Sequence, residues 1–538
     1  MRTCLLVALT TAYLLPLTRL LYFIGDDGTL IYGAQRVSEG AIPGRDFLEV
    51  MGPGSFYWLG LFFRMFGTGW QVTRLYLLLT GVATTGLLYV IARKVCHESA
   101  AILLWLFALV MGMSIWPAVS HHWDSNLFAI LALWCYLRLE KTENPVWAVA
   151  AGSLAGITTC FIQPKGLFLL LGFAASAVLR RLWLSSEASA TGPRSKRWQV
   201  LWLLFGGYAA VGSAVLGAFW RAGALRDLFY ANVVWPLSTY DTINVVPYGY
   251  GMMAFAVGPS LQILGASRPI AGLICAGLSF IPFLVIAVLP LVSVGPVFAS
   301  LFFRDRLTRW NPCLAVMLVG ASLWLSEIHR KDVVHLASGA PVLLIVLLAS
   351  IQSISSSQVR NAVMGAIAAG LVVFGILNFV SRLEGSHAVE TRRGTVMTVV
   401  DDQALQFLNT SVKEREYIFV YPYSPIYYYL ADVRNPTRLS TLLYGYNSPA
   451  QFDEVIHSLE EKRVPYVLDS GVSETTVAKW FPGYRQPTAD KLVLEQYLQK
   501  RYELMAVKSG FSILRRRVDE ADNRVSDTGS KVIGKKGN

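Results

Sequence analysis

The residues of this chain best suited to chemistry are carboxylates. Asp26 and Asp27 stand side by side directly after the first apolar run, and Asp46 follows in the same polar stretch. A carboxylate can take a proton from a hydroxyl or bind a cation. Two adjacent ones repel, which raises one pKa and favours proton uptake. Acidic groups at the edge of a membrane span are also costly unless they have work or water. The plain alternative is helix capping, since Asp caps N-termini and Gly28 eases a turn. One cap accounts for one Asp, not for three. The stretch also carries Gly40, Pro43, Gly44, Gly52, Pro53 and Gly54, the turn chemistry of a long, shaped loop.

Other polar clusters recur at the ends of apolar runs. His121-His122-Trp123-Asp124 falls in a very short gap between two of them. It reads either as an interfacial turn, with Trp123 at headgroup level and Asp124 as a cap, or as a ligand-positioning group. Adjacent histidines diverge on a helix, so the pair suits hydrogen bonding to different groups better than one shared metal. Gln163-Pro164-Lys165-Gly166 is a tight turn whose lysine either snorkels or offers a compact charge to a phosphate. The loop His329-Arg330-Lys331-Asp332-Val333-Val334-His335 is the most polar of the short ones. Its cations suit an anionic ligand or a surface Arg–Asp pair. Tyr230, Trp235, Tyr240, Tyr248 and Tyr250 form an aromatic loop, read as an interfacial belt before a lipid or sugar cradle.

These groups must be positioned by a membrane scaffold. Of 538 residues, 54% are hydrophobic and only 15% charged, well under the roughly 25% charged of a soluble domain. Mean hydropathy is +0.46. Apolar runs of spanning length lie at 4–24, 72–92, 99–118, 125–140, 146–163, 166–183, 199–220, 271–300, 312–327, 337–353 and 361–380, which predicts about eleven transmembrane helices. The run 54–66, interrupted by Arg64, reads as an interfacial helix. The first run has no small-residue cleavage site after it and is taken as retained. The net charge of +12 comes from basic residues that punctuate the run ends, so it reports topology rather than nucleic-acid binding. The six cysteines lie in or beside apolar runs without CxxC spacing, so neither a disulfide framework nor a zinc site is readable.

Lys/Arg placement at Arg2, Arg93-Lys94, Arg138/Lys141, Arg180-Arg181 with Arg194–Arg197, Arg304/Arg306/Arg309 and Arg360 marks alternate loops as cytoplasmic. Loop 25–70, His121-His122, Gln163–Lys165, loop 221–270 and His329–His335 then share the outer side, together with the C-terminal region. Residues 1–380 read as a transmembrane domain and 381–518 as a small outer-side α/β domain. Its expected strands are Tyr417–Tyr423, Val464–Asp469 and a strand or hairpin over Glu503–Arg517. Its expected amphipathic helices cover Asp401–Asn409, Ser448–Lys462 and Leu492–Arg501, the middle one opened by a Ser448/Gln451 capping box. Residues 519–538 have the composition of a disordered tail.

There is no P-loop, HExxH, GxSxG or Rossmann fingerprint. The run Asp26-Asp27-Gly28-Thr29-Leu30-Ile31-Tyr32, then Gly40-Ala41-Ile42-Pro43-Gly44-Arg45-Asp46-Phe47, Gly52-Pro53-Gly54, Tyr57 and Phe66-Gly67, resembles the first outer loop of GT-C fold glycosyltransferases. The nearest are bacterial members similar to protein O-mannosyltransferases and the lipid A aminoarabinose transferase. Span layout, the Gln-Pro-Lys-Gly turn, the Arg-Lys-Asp-x-x-His loop and a C-terminal outer domain extend the resemblance over most of the chain, with the first loop its specific part. Asp26 matches the family's catalytic aspartate, and Asp27 stands where the family carries glutamate.

The resemblance implies an integral enzyme of the inner (plasma) membrane with its C-terminal domain on the periplasmic or extracellular side. Such an enzyme moves a sugar from a polyprenyl-phosphate donor to an acceptor hydroxyl on lipid, glycan or protein, with inversion. Asp26 would be the base and Asp46 would orient the acceptor, with the role of Asp27 open between them. Lys165, Arg330 and Lys331 would bind phosphate, and His121, His122 and His335 would position donor or acceptor. No cofactor is firmly implied, and Asp26, Asp27 and Asp46 could take a divalent cation if they converge. The competing readings are a transporter or flippase of a lipid-linked or acidic solute, which would need acidic residues at mid-bilayer depth, and a non-catalytic envelope assembly factor.

Overall fold

Apolar runs in lipid must satisfy their own backbone, which leaves the helix as the available element. In the computed structural model, which describes residues 2–21, 25–184, 195–302, 313–327, 329–471, 473–479 and 481–517, each of the eleven apolar runs is helical. These helices are α1 (Arg2–Thr18), α4 (Trp70–Val95), α5 (Glu98–Met111), α6 (His121–Thr142), α7 (Val146–Phe161), α8 (Gln163–Leu184), α9 (Ser195–Arg221), α10 (Pro269–Phe302), α11 (Leu314–Ser326), the pair α12 (Val333–Gly339) and α13 (Pro341–Gln352), and α14 (Ser357–Leu383). Two further helices, α2 (Asp26–Ser38) and α3 (Pro53–Phe66), fill the first loop. Among the described residues only Trp70–Val95, Trp198–Arg221, Pro269–Leu291 and Ser357–Leu383 are long and apolar enough to cross a membrane alone; α12 and α13, bent by 66°, would make a fifth. Several remaining runs form shorter helices, as where α5 stops at Gly112.

α7 packs between α6 and α9, and α8 lies against α11. Their buried faces merge into one apolar core with α4, α5, α13 and α14. Residues 225–265 form a series of short helical segments with π-type turns rather than one long helix.

The C-terminal region carries a hairpin, β1 (His387–Thr391) and β2 (Gly394–Thr398), and a four-stranded sheet. The sheet strands are β3 (Ile418–Tyr421), β4 (Tyr466–Asp469), β5 (Tyr502–Lys508) and β6 (Phe511–Arg516), in the order β3-β4-β6-β5. β3 and β4 run parallel, joined through α16 (Pro449–Glu461), and the β5–β6 hairpin closes antiparallel on β4. The expected strands and helices overlap these elements, with α15 (Gln403–Ser411) capped by Asp402, α17 (Val493–Arg501), and the Ser448/Gln451 capping box formed. The tail from 519 and the Arg304/Arg306/Arg309 group lie outside the described residues.

This region does not have a core of its own alone. Leu30, Ile31, Phe47 and Phe56 of the first loop share one apolar cluster with Ile418, Ile426 and Tyr427–Leu430. Tyr32 stacks on Tyr428 at 5.1 Å and its hydroxyl accepts the Asn435 N–H at 3.1 Å. Gly28 permits the contact, because a Cβ there would lie 2.4 Å from the Ile426 backbone nitrogen. On the other side, Gly52 seats the first loop on the end of α7, where a Cβ would meet the Cys160 carbonyl oxygen at 2.3 Å. The loop is thus clamped between the helical bundle and the sheet domain, with Asp26 at its start.

Candidate active site

Asp26 and Asp27 open α2 with no side-chain cap bond, so the capping alternative does not account for them. They separate by environment. Asp27 is fully buried; Arg74 approaches both its oxygens, at 3.1 and 3.2 Å, and the Val119 N–H donates to it at 2.8 Å. The Arg74 guanidinium in turn lies 3.8 Å from the Trp70 ring centroid. Such a group ties the first loop to α4 and to the turn before α6, with both its oxygens engaged. Asp26, one residue earlier, is half-buried and accepts a hydrogen bond from the Tyr423 hydroxyl, which arrives from the loop after β3.

Around Asp26 the structure gathers groups from several loops. Glu49 is buried on the same side, and desolvation pushes its carboxyl up to about 8, with the nearby Asp26 charge adding to the rise. Arg330 is half-buried, donating to Asp332 at 2.6 Å and to the Asn244 side-chain oxygen at 2.7 Å, over the Phe481 ring. Burial opposes its charge, but Asp332 and, more remotely, Asp26 favour it, and its pKa is raised. Burial likewise works to raise the Asp332 carboxyl, yet His335 and Arg330 outweigh it and hold it well below the ordinary range. Asp26 and Arg330 therefore sit within electrostatic reach of one another although some three hundred residues apart in sequence.

A second group adjoins this one. Lys165 is completely buried, its ammonium 2.6 Å from Glu327 and bonded to Ser125, Asn126 and Ser338. It can touch no phosphate in this state, so its charge reaches a ligand only through Glu327. His122 and His335 lie edge to face with centroids 4.5 Å apart, His121 lies 4.3 Å from His122, and His329 lies 5.5 Å from His335. Asp332 holds His335 through Nδ1 at 2.8 Å and caps α12 through the same oxygen. Lys331 is half-buried at the head of that loop.

Asp46 is placed differently. Its carboxylate is held by Arg45 at 2.8 and 2.9 Å and by the Ile42 N–H at 2.8 Å, and this pairing holds its pKa down. With Asp27 on Arg74 and Asp46 on Arg45, the three aspartates do not form a metal-holding group among the described residues. Asp124 is also structural, accepting from Ser55 at 2.7 Å and from Tyr76. The aromatic loop packs on the sheet domain: Trp235 lies 4.5 Å from Tyr446, Tyr240 meets His329 edge-on at 5.4 Å, and the Tyr250 hydroxyl donates to the Lys479 carbonyl.

Reading the sequence missed Tyr423, Glu49, Asn244 and Glu327. Only Glu327 left a signal, as the single acid at the end of the apolar run 312–327. Beside the second group, a small apolar cavity of about 40 Å³ is lined by Leu14, Leu88, Met113, Trp123, Asn126 and Ala337 among others. Asn126 belongs to both.

Residues 51–192 match the family described as dolichyl-phosphate-mannose-protein mannosyltransferase. No curated protein matches the chain by sequence. Two solved structures share the fold. One is the oligosaccharyltransferase of Archaeoglobus fulgidus in complex with Zn and sulfate, 11% identical with a TM-score of 0.52, covering 95% of this chain and 73% of that one. The other is ArnT from Cupriavidus metallidurans bound to undecaprenyl phosphate, 11% identical with a TM-score of 0.51, covering 95% and 97%. The chain thus shares the fold of these two structures, and the mannosyltransferase family match covers its residues 51–192.

Proposed function

We propose that this protein transfers a sugar from a polyprenyl-phosphate carrier to an acceptor hydroxyl, on the outer side of the plasma membrane, with inversion at the anomeric carbon. The observation that carries the reading is that Asp26, which accepts from Tyr423 of the sheet domain, and Arg330 lie within electrostatic reach of one another. One carboxylate and one fixed cation are what this reaction needs. Asp26 takes the acceptor proton as the acceptor oxygen attacks C1 from the face opposite the phosphate. The C1–O bond breaks and its electrons leave with the polyprenyl phosphate, a good leaving group that needs no acid. Arg330, joined by Lys331, neutralises the departing phosphate, an interaction strengthened by burial.

The Tyr423 hydroxyl, by donating to Asp26, occupies the position that an acceptor hydroxyl would take. Asp27 serves by orienting the loop, Asp46 by holding its far turn, and Lys165 by fixing Glu327 beneath His122 and His335, which with His121 line the donor side. Undecaprenyl phosphate in the ArnT structure and the family match point to the same donor class. The test is sugar transfer from polyprenyl-phosphate donors by the wild type and by Asp26→Asn. Retained transfer by the variant refutes the base assignment, and failure of the wild type with every such donor returns the fold to a transport or assembly role.

A further inference from the structure

The geometry points to a zinc-class cation site formed by His122, Glu327 and His335, apart from the aspartates of the first loop. One ligand atom from each of the three lies within 4.8 Å of the others. Two of those side chains carry buried polar atoms without a hydrogen-bond partner. His122 Nδ1 and Glu327 Oε2 each lack a hydrogen-bond partner and face one another at 3.5 Å, an ion-pair distance. A buried imidazole nitrogen and a carboxylate oxygen left unsatisfied side by side are expensive. A cation between them would satisfy both.

The surroundings are organised as the outer shell of a metal site. Asp332 Oδ1 holds His335 Nδ1 at 2.8 Å, which fixes the ring and leaves Nε2 as its ligand atom, the carboxylate–histidine arrangement found behind metal-bound histidines. Lys165 and Ser338 take the other oxygen of Glu327, Oε1, at 2.6 and 3.4 Å, so Oε2 alone is presented. Lys165 also lowers the charge that Glu327 would contribute, which selects against weakly held hard ions and leaves the two imidazoles to decide. Two nitrogens and one carboxylate oxygen are a zinc donor set with a fourth position open. Zinc–nitrogen and zinc–oxygen bonds of about 2.0–2.2 Å bring ligand atoms to about 3.4 Å of one another. Binding would draw the three ligand atoms in from their present spread of up to 4.8 Å.

The proposal is tested by metal content, a readout separate from sugar transfer. Full-length protein, purified in detergent, is exposed to Zn²⁺, desalted and assayed for zinc by mass spectrometry; Co²⁺ loading provides an absorption spectrum of the coordination geometry. We expect one zinc per chain and an intense four-coordinate Co²⁺ band. Glu327→Gln and His335→Gln, close in shape to the native residues, should each cut affinity at least tenfold, and Asp332→Asn about 10–100-fold as an outer-shell change. Asp26→Asn should keep the metal whole. Zinc content equal in wild type and His335→Gln, a six-coordinate Co²⁺ spectrum, or metal lost in Asp26→Asn each overturns the assignment. Where a variant fails to fold, the Co²⁺ spectrum of the wild type alone decides.

Discussion

Asp26→Asn and Asp27→Asn, adjacent and chemically identical changes, should fail in opposite ways. Asparagine at 26 still presents an oxygen to the Tyr423 hydroxyl, so the fold is kept while the base is lost. Removing a positioned general base costs about 10²–10⁴ in rate, about 3–5 kcal/mol of transition-state stabilisation. Asparagine at 27 instead leaves Arg74, whose side chain is only 5% exposed, with an unpaired charge. Breaking one side of a buried ion pair costs about 3–5 kcal/mol of stability. Its kcat, measured on the fraction that remains folded, should stay within tenfold of wild type. The assay is transfer of a labelled sugar from a polyprenyl-phosphate donor, run beside thermal unfolding in the same detergent. An Asp27→Asn protein with unchanged Tm and lost kcat, or an Asp26→Asn protein with near-normal kcat, refutes the division of roles.

Gly28→Ala should part the sheet domain from the first loop, since the new Cβ would strike the Ile426 backbone at 2.4 Å; overpacking of this kind costs about 1–3 kcal/mol, read as lower Tm and faster proteolysis after residue 400. Glu49 supplies a pH test. Its carboxyl is raised to about 8, so its neutral form is favoured by folding, and the stability it contributes is complete below about 4.5 and lost as pH rises through 8. Glu49→Gln should flatten that decline in a Tm-versus-pH series, and an unchanged slope would remove the argument. Lys165→Met should destabilise by about 3–5 kcal/mol by stranding Glu327, visible in thermal unfolding, and should reduce transfer even where the chain stays folded.

The scaffold was legible because lipid leaves one solution to each apolar run: each became a helix. The C-terminal strands were legible from short β-rich segments between turn residues, and the Ser448/Gln451 box from local chemistry alone. What the sequence could not yield was the assignment of like residues to unlike roles. Asp26 and Asp27 differ only in which side of α2 they take, and the arginine that claims Asp27 lies on another helix. Lys165 read as a phosphate ligand because its partner Glu327 is distant in sequence and sits at the end of an apolar run. Tyr423 was invisible for the same reason: its hydroxyl gains meaning only when the sheet domain folds onto the first loop through Gly28.

The account stands or falls on where the lipid phosphate sits. A cryo-electron microscopy structure of the full chain with undecaprenyl phosphate would measure this directly. The account predicts the phosphate in hydrogen-bond contact with Arg330, its ester oxygen facing Asp26 across a gap the width of one sugar ring, and the tail running along the apolar helices. A phosphate bound at the opposite end of the helices, or held by residues remote from both Asp26 and Arg330, would contradict it.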